Sequence, residues 1–108
     1  MLEISASDWN GLCWWGSLWN YAVEVLDACN QAVALAPDNG AIADSRGVAR
    51  ALTGDYAGAI EDFQFYVEWS KEDGRYEWYG AQREGWIREL EAGRNPFNEA
   101  TLEALKTE

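Results

Sequence analysis

The stretch that decides the fold lies in the middle of the chain, at residues 46–63, and reads Arg46-Gly47-Val48-Ala49-Arg50-Ala51-Leu52-Thr53-Gly54-Asp55-Tyr56-Ala57-Gly58-Ala59-Ile60-Glu61-Asp62-Phe63. Before Gly54, apolar side chains recur at the spacing of one helix face. After Asp55 the same spacing returns in Ala59, Ile60 and Phe63. Glycine is favoured where helices end. The stretch therefore predicts two antiparallel helices joined by a short turn.

Helical spacing continues on both sides of this stretch. Glycines and prolines divide the chain into segments of helical length, and no segment sustains the alternation of a half-buried strand. Asn98 is a suitable N-cap for a last short helix that contains Leu102 and Leu105. The other predicted helices include residues 22–35, 42–52, 56–69 and 76–90, with a polar break at 71–75. We therefore expect an all-α protein built from antiparallel helix hairpins.

Two parts of the chain repeat each other at a distance of 34 residues. Asn20 and Gly54 both lie between two predicted helices. The same shift aligns apolar positions with apolar positions: Val25 with Ala59, Leu26 with Ile60, Cys29 with Phe63, and Val33 with Val67. A helix–turn–helix unit of this length is the tetratricopeptide period.

The chain resembles the tetratricopeptide repeat (TPR) family over about residues 6–73. In the second unit, the matching positions are Gly47 in the first helix, the turn at 54–56, and Ala59 and Phe63 in the second helix. In the first unit, the signature positions are held by Trp9, Leu12, Ala32 and Pro37. The resemblance implies a single domain over residues 1–108, in which the hairpins stack as a short superhelix. Its expected parts are repeat 1 at about 6–39, repeat 2 at about 40–73, and capping helices at about 75–92 and 98–107.

Three short motifs resemble the C-terminal region of certain long bacterial proteins. They are Leu12-Cys13-Trp14, Ala51-Leu52-Thr53-Gly54-Asp55-Tyr56 and Asn95-Pro96-Phe97. Those proteins carry a caspase-like or β-propeller (WD-repeat) domain upstream. This second resemblance implies a module or scaffold of a larger multidomain chain.

Composition argues against several classes of function. Eight basic and nineteen acidic side chains give a formal net charge of −11, which opposes binding to nucleic acid and to anionic membranes. The chain has no histidine, the commonest general base and metal ligand. Acidic pairs such as Glu68 and Glu72 fit a solvated helix face, and no calcium-loop or nucleotide-binding motif occurs. We therefore expect no enzymatic activity, no catalytic residue, no metal and no cofactor.

Cys13 and Cys29 both fall in apolar helical pattern. We expect two small buried hydrophobic side chains, with a disulfide as the first alternative. A catalytic thiol is the least favoured interpretation, because no histidine could activate it. Residues 1–5 lack the basic and apolar regions of a signal peptide, and no apolar run is long enough to span a membrane. A cytoplasmic protein is the expectation.

The resemblance also implies a binding site, because the first helix of each tetratricopeptide hairpin lines a concave groove. Trp14 and Trp15 diverge by about 100° on a helix, so we expect one of them to be exposed. The implied groove positions are Asn10, Trp14, Ser17 and Leu18 in the first unit, Asp44, Val48, Ala51 and Leu52 in the second, and Trp78 and Gln82 in the covering helix.

Charge favours one kind of partner over another. Some members of the family clamp acidic peptides with basic groove residues, but Arg46 and Arg50 occupy packing positions here. We expect them to pair with acids such as Asp55 or Asp62. A basic or apolar protein or peptide suits the acidic chain better, because complementary charge speeds association.

Three functions follow from these observations. The leading hypothesis is a non-catalytic interaction module that binds a peptide or a neighbouring domain in the concave groove. The second is a structural C-terminal cap of a larger multidomain protein. The third is a homo-oligomerisation unit, for example a homodimer, formed through exposed Trp14, Trp15 or Trp78.

Overall fold

Six α-helices and one π-helical turn make up the regular structure of residues 4–107, which the computed structural model describes. Residues 1–3 and 108 lie outside the described residues, and so does most of the segment searched above for a signal peptide. The prediction of an all-α protein is confirmed for the described chain, and none of its helices is long and apolar enough to cross a bilayer. The elements are α1 (Ala6–Leu18), α2 (Ala22–Leu35), α3 (Gly40–Leu52), α4 (Tyr56–Asp73), the π-helical turn (Tyr76–Gly80), α5 (Ala81–Glu91) and α6 (Glu99–Leu105).

Side-chain caps set where several helices begin. Asp55 Oδ1 accepts a hydrogen bond from the Gly58 N–H at 2.9 Å, and Asn98 Oδ1 accepts one from the Thr101 N–H at 2.9 Å. Each cap satisfies a backbone donor that the first turn of a helix leaves without a partner. The predicted polar break is shorter than expected, because α4 continues to Asp73 and stops at a left-handed glycine, with φ of 82°. The predicted start of α6 at Asn98 is confirmed.

The first hairpin consists of α1 and α2, and small side chains separate the two helices. Cys13 and Cys29 face each other with their Cα atoms 4.8 Å apart and are joined by a disulfide. Both are buried, as expected, but the expectation of two free thiols is wrong. The reason is geometric, because antiparallel packing brings two cysteines that are sixteen residues apart within bonding distance.

The second hairpin consists of α3 and α4 and is held by packing and ion pairs. A Cβ atom on Gly47 would lie 2.7 Å from the Phe63 ring, so only glycine permits this close approach. Asp62 is buried and accepts hydrogen bonds from Arg46 and Arg50, at closest distances of 3.0 and 3.2 Å. The prediction that these arginines pair with acids of the same hairpin is confirmed.

The C-terminal third of the chain covers the second hairpin. Phe63 lies at the centre of an aromatic cluster, with ring centroids 5.3 Å from Trp86 and 5.9 Å from Phe97. The same core contains Leu102 and Leu105 of α6. Large aromatic side chains bury about 150–250 Å² each, which suits a small domain with a small core. These covering elements determine which part of the surface of α1 and α3 stays open.

Candidate functional site

The face shared by α1 and α3, where the resemblance predicts a concave groove, is divided into a filled half and an open half. In the filled half, Leu18, Val48 and Ala51 are almost fully buried in one core with Phe97 and α6. Leu52 is half-buried beside them, at a shallow cleft against Phe97. The chain itself therefore occupies the space where four of the groove positions would meet a ligand.

Ser17 also lies in the interior, with no exposed surface. Its hydroxyl oxygen has no hydrogen-bond partner among residues 4–107. It is separated from solvent by the surrounding helices, so it offers no contact to a ligand in the present arrangement.

The open half is a pocket of about 390 Å³, which we call the aromatic pocket. This volume is at the lower end of the range of small-molecule and peptide side-chain sites. Three predicted groove residues, Asn10, Trp14 and Asp44, are brought together here. The full lining is Ser7, Asn10, Gly11, Trp14, Trp15, Ala41, Asp44, Ser45, Tyr66, Arg75, Tyr79 and Arg83.

A buried ion pair forms the floor of the aromatic pocket. Arg83 donates two hydrogen bonds to the Asp44 carboxylate, Nε to Oδ1 at 3.0 Å and Nη2 to Oδ2 at 2.7 Å. Both side chains are almost completely buried. The guanidinium lies over the rings of Trp86, at 4.3 Å, and Tyr66, at 5.1 Å. Stacking on aromatic faces suits arginine, because its charge is delocalised and weakly hydrated.

Burial changes the pKa values of two side chains in this part of the pocket. Loss of hydration raises the pKa of Asp44 above its ordinary value, and the charge of Arg83 acts in the opposite direction. Burial also raises the pKa of Tyr66, which the negative charge of Asp44 increases further. Asp44, expected as an open groove residue, is therefore an internal partner of Arg83.

Asn10 supplies a polar group that the fold does not use. Its Oδ1 atom is buried and has no hydrogen-bond partner within the described chain. A buried acceptor without a donor is costly, so such atoms commonly bind water or a ligand. This oxygen has almost no exposed surface, so it offers no contact to a ligand in the present arrangement, and a ligand in the aromatic pocket would meet the rings instead.

Trp78 and Gln82 are exposed and do not line the aromatic pocket, whereas Tyr79 and Arg83 do. Sequence reasoning named the first pair and missed the second. A signal was present, because Tyr79, Arg83 and Trp86 follow one helical face at i, i+4 and i+7.

The adjacent tryptophans behave as predicted, because Trp15 is 47% exposed while Trp14 is half-buried against the core. Within residues 4–107, no group of three or more cysteine, aspartate or glutamate side chains is arranged so that it could hold a metal ion.

The chain matches no protein-family model, no curated protein and no solved structure.

Proposed function

We propose that this chain is a non-catalytic protein–protein interaction module of the tetratricopeptide type. Its ligand is a peptide or a segment of a neighbouring domain that binds in the aromatic pocket. The observation that supports the proposal is the open aromatic pocket, which Trp14 and Tyr79 line. Exposed aromatic side chains are enriched among residues that dominate binding energy.

The partner is a basic or apolar peptide. The rings of Trp14 and Tyr79 can pack against an apolar side chain of the peptide. The net charge of −11 attracts a basic segment and repels an acidic one.

Selection from a random peptide library on the immobilised chain tests this proposal. Enriched peptides are synthesised, and their Kd is measured by calorimetry against wild type, Asn10→Ala and Tyr79→Ala. We expect at least about tenfold weaker binding to Tyr79→Ala, because a residue at a binding hot spot contributes more than about 1.4 kcal/mol.

Trp78→Ala is the matched control, since Trp78 is 78% exposed and lies outside the aromatic pocket. Its affinity should equal that of wild type. If no sequence is enriched, or if Tyr79→Ala and Trp78→Ala lose the same amount of affinity, the aromatic pocket is rejected as the binding site.

A second candidate function is a structural cap of a larger chain. The filled half of the face shared by α1 and α3 favours it, because Phe97 and α6 cover apolar positions that a ligand would otherwise reach. Linking the module to its natural upstream sequence and comparing thermal unfolding with the isolated module tests this role. A cap raises the melting temperature of the upstream part, whereas a pure binding module leaves it unchanged.

The cytoplasm is the location proposed from the sequence, and the disulfide opposes it. Disulfides persist mainly in oxidising compartments. Alkylation of free thiols under denaturing conditions at the moment of cell lysis distinguishes the two locations, because both cysteines are buried in the folded chain. Modification of both Cys13 and Cys29 would support a cytoplasmic, reduced protein, and modification of neither would support an oxidising compartment.

A further inference from the structure

The outer face of α1 is apolar and exposed. Leu12, Trp15 and Trp19 recur at i, i+3 and i+7, and their side chains are 53%, 47% and 58% exposed. Tyr21, in the turn after α1, extends the surface and is 58% exposed. Contiguous aromatic and aliphatic side chains of this kind are uncommon on an isolated domain and mark interaction surfaces.

This face points away from the rest of the molecule. Cys13 and Ser17, on the opposite side of α1, are buried against the neighbouring helices. A shallow apolar trough runs along the outer face, with Gly11 and Gly16 between the large side chains and Val25 of α2 at one edge. A Cβ atom on Gly11 would meet nothing within 4 Å, so the trough is open at that point.

The charge around the trough has one dominant sign. No lysine or arginine occurs in the sequence before Arg46. Asp8 and Asp27 are exposed on α1 and α2, and Glu24 lines the trough itself. One cation approaches the end of the face, Lys106 at 3.7 Å from the Trp19 ring centroid, but it is paired with Glu103 at 2.6 Å.

We propose that the outer face of α1 binds an amphipathic helix whose apolar stripe is flanked by lysine or arginine. The apolar stripe covers Leu12, Trp15 and Trp19, and the basic flanks meet Asp8 and Glu24. α1 has thirteen residues, so a helix of about 14 residues, or about 20 Å, matches its length.

A second copy of the chain fits this face less well than a basic helix. A symmetric contact would place the acidic rim of one copy against that of the other, and each copy carries a net charge of −11. Like charges brought together at an interface oppose association. The site is distinct from the aromatic pocket, although Gly11 and Trp15 lie at the border of both.

Calorimetric titration with a synthetic peptide of about 14 leucine and lysine residues tests the proposal, with leucine at i, i+3, i+4 and i+7. We expect binding that weakens at least about tenfold in Leu12→Lys, which removes an apolar contact and adds a repelling charge. Leu35→Lys is the matched control, because Leu35 is 56% exposed at the far end of α2 and should leave Kd unchanged.

A second pair of variants tests whether acidic side chains beside the trough attract the basic peptide. Glu24→Lys should weaken binding about two- to fivefold, as expected for an exposed ion pair, and the effect should shrink at high salt. Glu61→Lys changes the net charge equally from an exposed position on α4 and should have no effect.

Each alternative occupant gives a different result. Equal binding of a leucine–glutamate peptide would overturn the requirement for a basic partner, and equal binding of a scrambled leucine–lysine peptide would overturn the helix. A wild-type dimer in sedimentation that becomes a monomer in Leu12→Lys would assign the face to a second copy. No binding by a leucine–lysine peptide, with the variants folded by circular dichroism, would overturn the proposal.

The two binding proposals fail independently. Leu12→Lys should retain binding of the library-selected peptides, whereas Tyr79→Ala should retain binding of the leucine–lysine peptide.

Discussion

The α1/α2 hairpin joins its helices through small side chains and one disulfide, whereas the α3/α4 hairpin joins its helices through a large ring, a glycine and ion pairs. The first interface contains Ala22, Ala28 and the Cys13–Cys29 bridge. The second contains Phe63 packed on Gly47, with Asp62 bonded to two arginines. The same local architecture is therefore stabilised covalently in one half and by packing and charge in the other.

Because of this difference, the two hairpins respond to different conditions. A reductant acts on the first hairpin, and substitutions or pH changes in the core act on the second. The first hairpin also presents the exposed apolar face of α1, so its covalent bond, together with the packed residues around it, supports this face. The following predictions test this division in order of decreasing effect.

The largest effect is expected at the centre of the aromatic cluster. Phe63→Ala should lower the free energy of unfolding by about 3–5 kcal/mol, because it removes a fully buried ring and leaves a cavity. Urea unfolding followed by circular dichroism measures the change. Phe65→Ala, at a ring 43% exposed on the same helix, should change stability by less than about 0.5 kcal/mol. Equal losses of stability in the two variants would mean that Phe63 is not part of the core.

Removal of the disulfide should have the next largest effect. The double variant Cys13→Ala/Cys29→Ala should lose about 3 kcal/mol of stability, since the bridge restricts a loop of about this length in the unfolded chain. Dithiothreitol should destabilise wild type by a similar amount and leave the double variant unchanged. Identical unfolding midpoints for reduced and oxidised wild type would show that the bridge does not stabilise the first hairpin.

The ion pairs of the second hairpin come next. Asp62→Asn should lower stability by about 2 kcal/mol, because it removes the charge that accepts hydrogen bonds from Arg46 and Arg50. Glu61→Gln, at the exposed neighbouring position, serves as the control and should be nearly neutral. A neutral Asp62→Asn would mean that packing alone holds α3 and α4 together.

The smallest effect is the pH response of Asp44. Burial raises the pKa of this carboxyl above 3.8, so the folded chain binds its proton more tightly than the unfolded chain does. The stability due to Asp44 is then fully present below the unfolded pKa and falls as pH rises through the folded pKa.

The free energy of unfolding of wild type and of Asp44→Asn is measured from below pH 3.8 to above the raised pKa of Asp44. The stability of wild type relative to the variant should decrease as pH rises. Asp8→Asn, at an exposed site, corrects for the change in net charge. A relative stability that increases with pH would mean that attraction to Arg83 outweighs burial.

Much of the helical pattern could be read from the sequence because local rules determine it. The spacing of Ala59, Ile60 and Phe63 identified α4, and Asn98 identified the start of α6. Pairing of Arg46 and Arg50 with Asp62 was also predictable, because the residues face one another across a hairpin with a short turn.

The pocket floor and the disulfide depend on tertiary distances that the sequence does not give. Arg83 and Asp44 are 39 residues apart and meet only because α5 packs on α4, from where Arg83 reaches Asp44 of α3. Within the π-helical turn before α5, Tyr79 lines the aromatic pocket and Trp78 faces solvent.

The burial of Leu18 against α6 has a consequence for synthesis on the ribosome. Its partners Leu102 and Leu105 emerge about 84 residues later or more, which takes about 4–17 s at about 5–20 residues per second. During that interval the nascent first hairpin exposes both its outer apolar face and the inner surface that α6 later covers. Early formation of the Cys13–Cys29 bond, or a chaperone bound to the emerging chain, would protect the hairpin from aggregation until translation is finished.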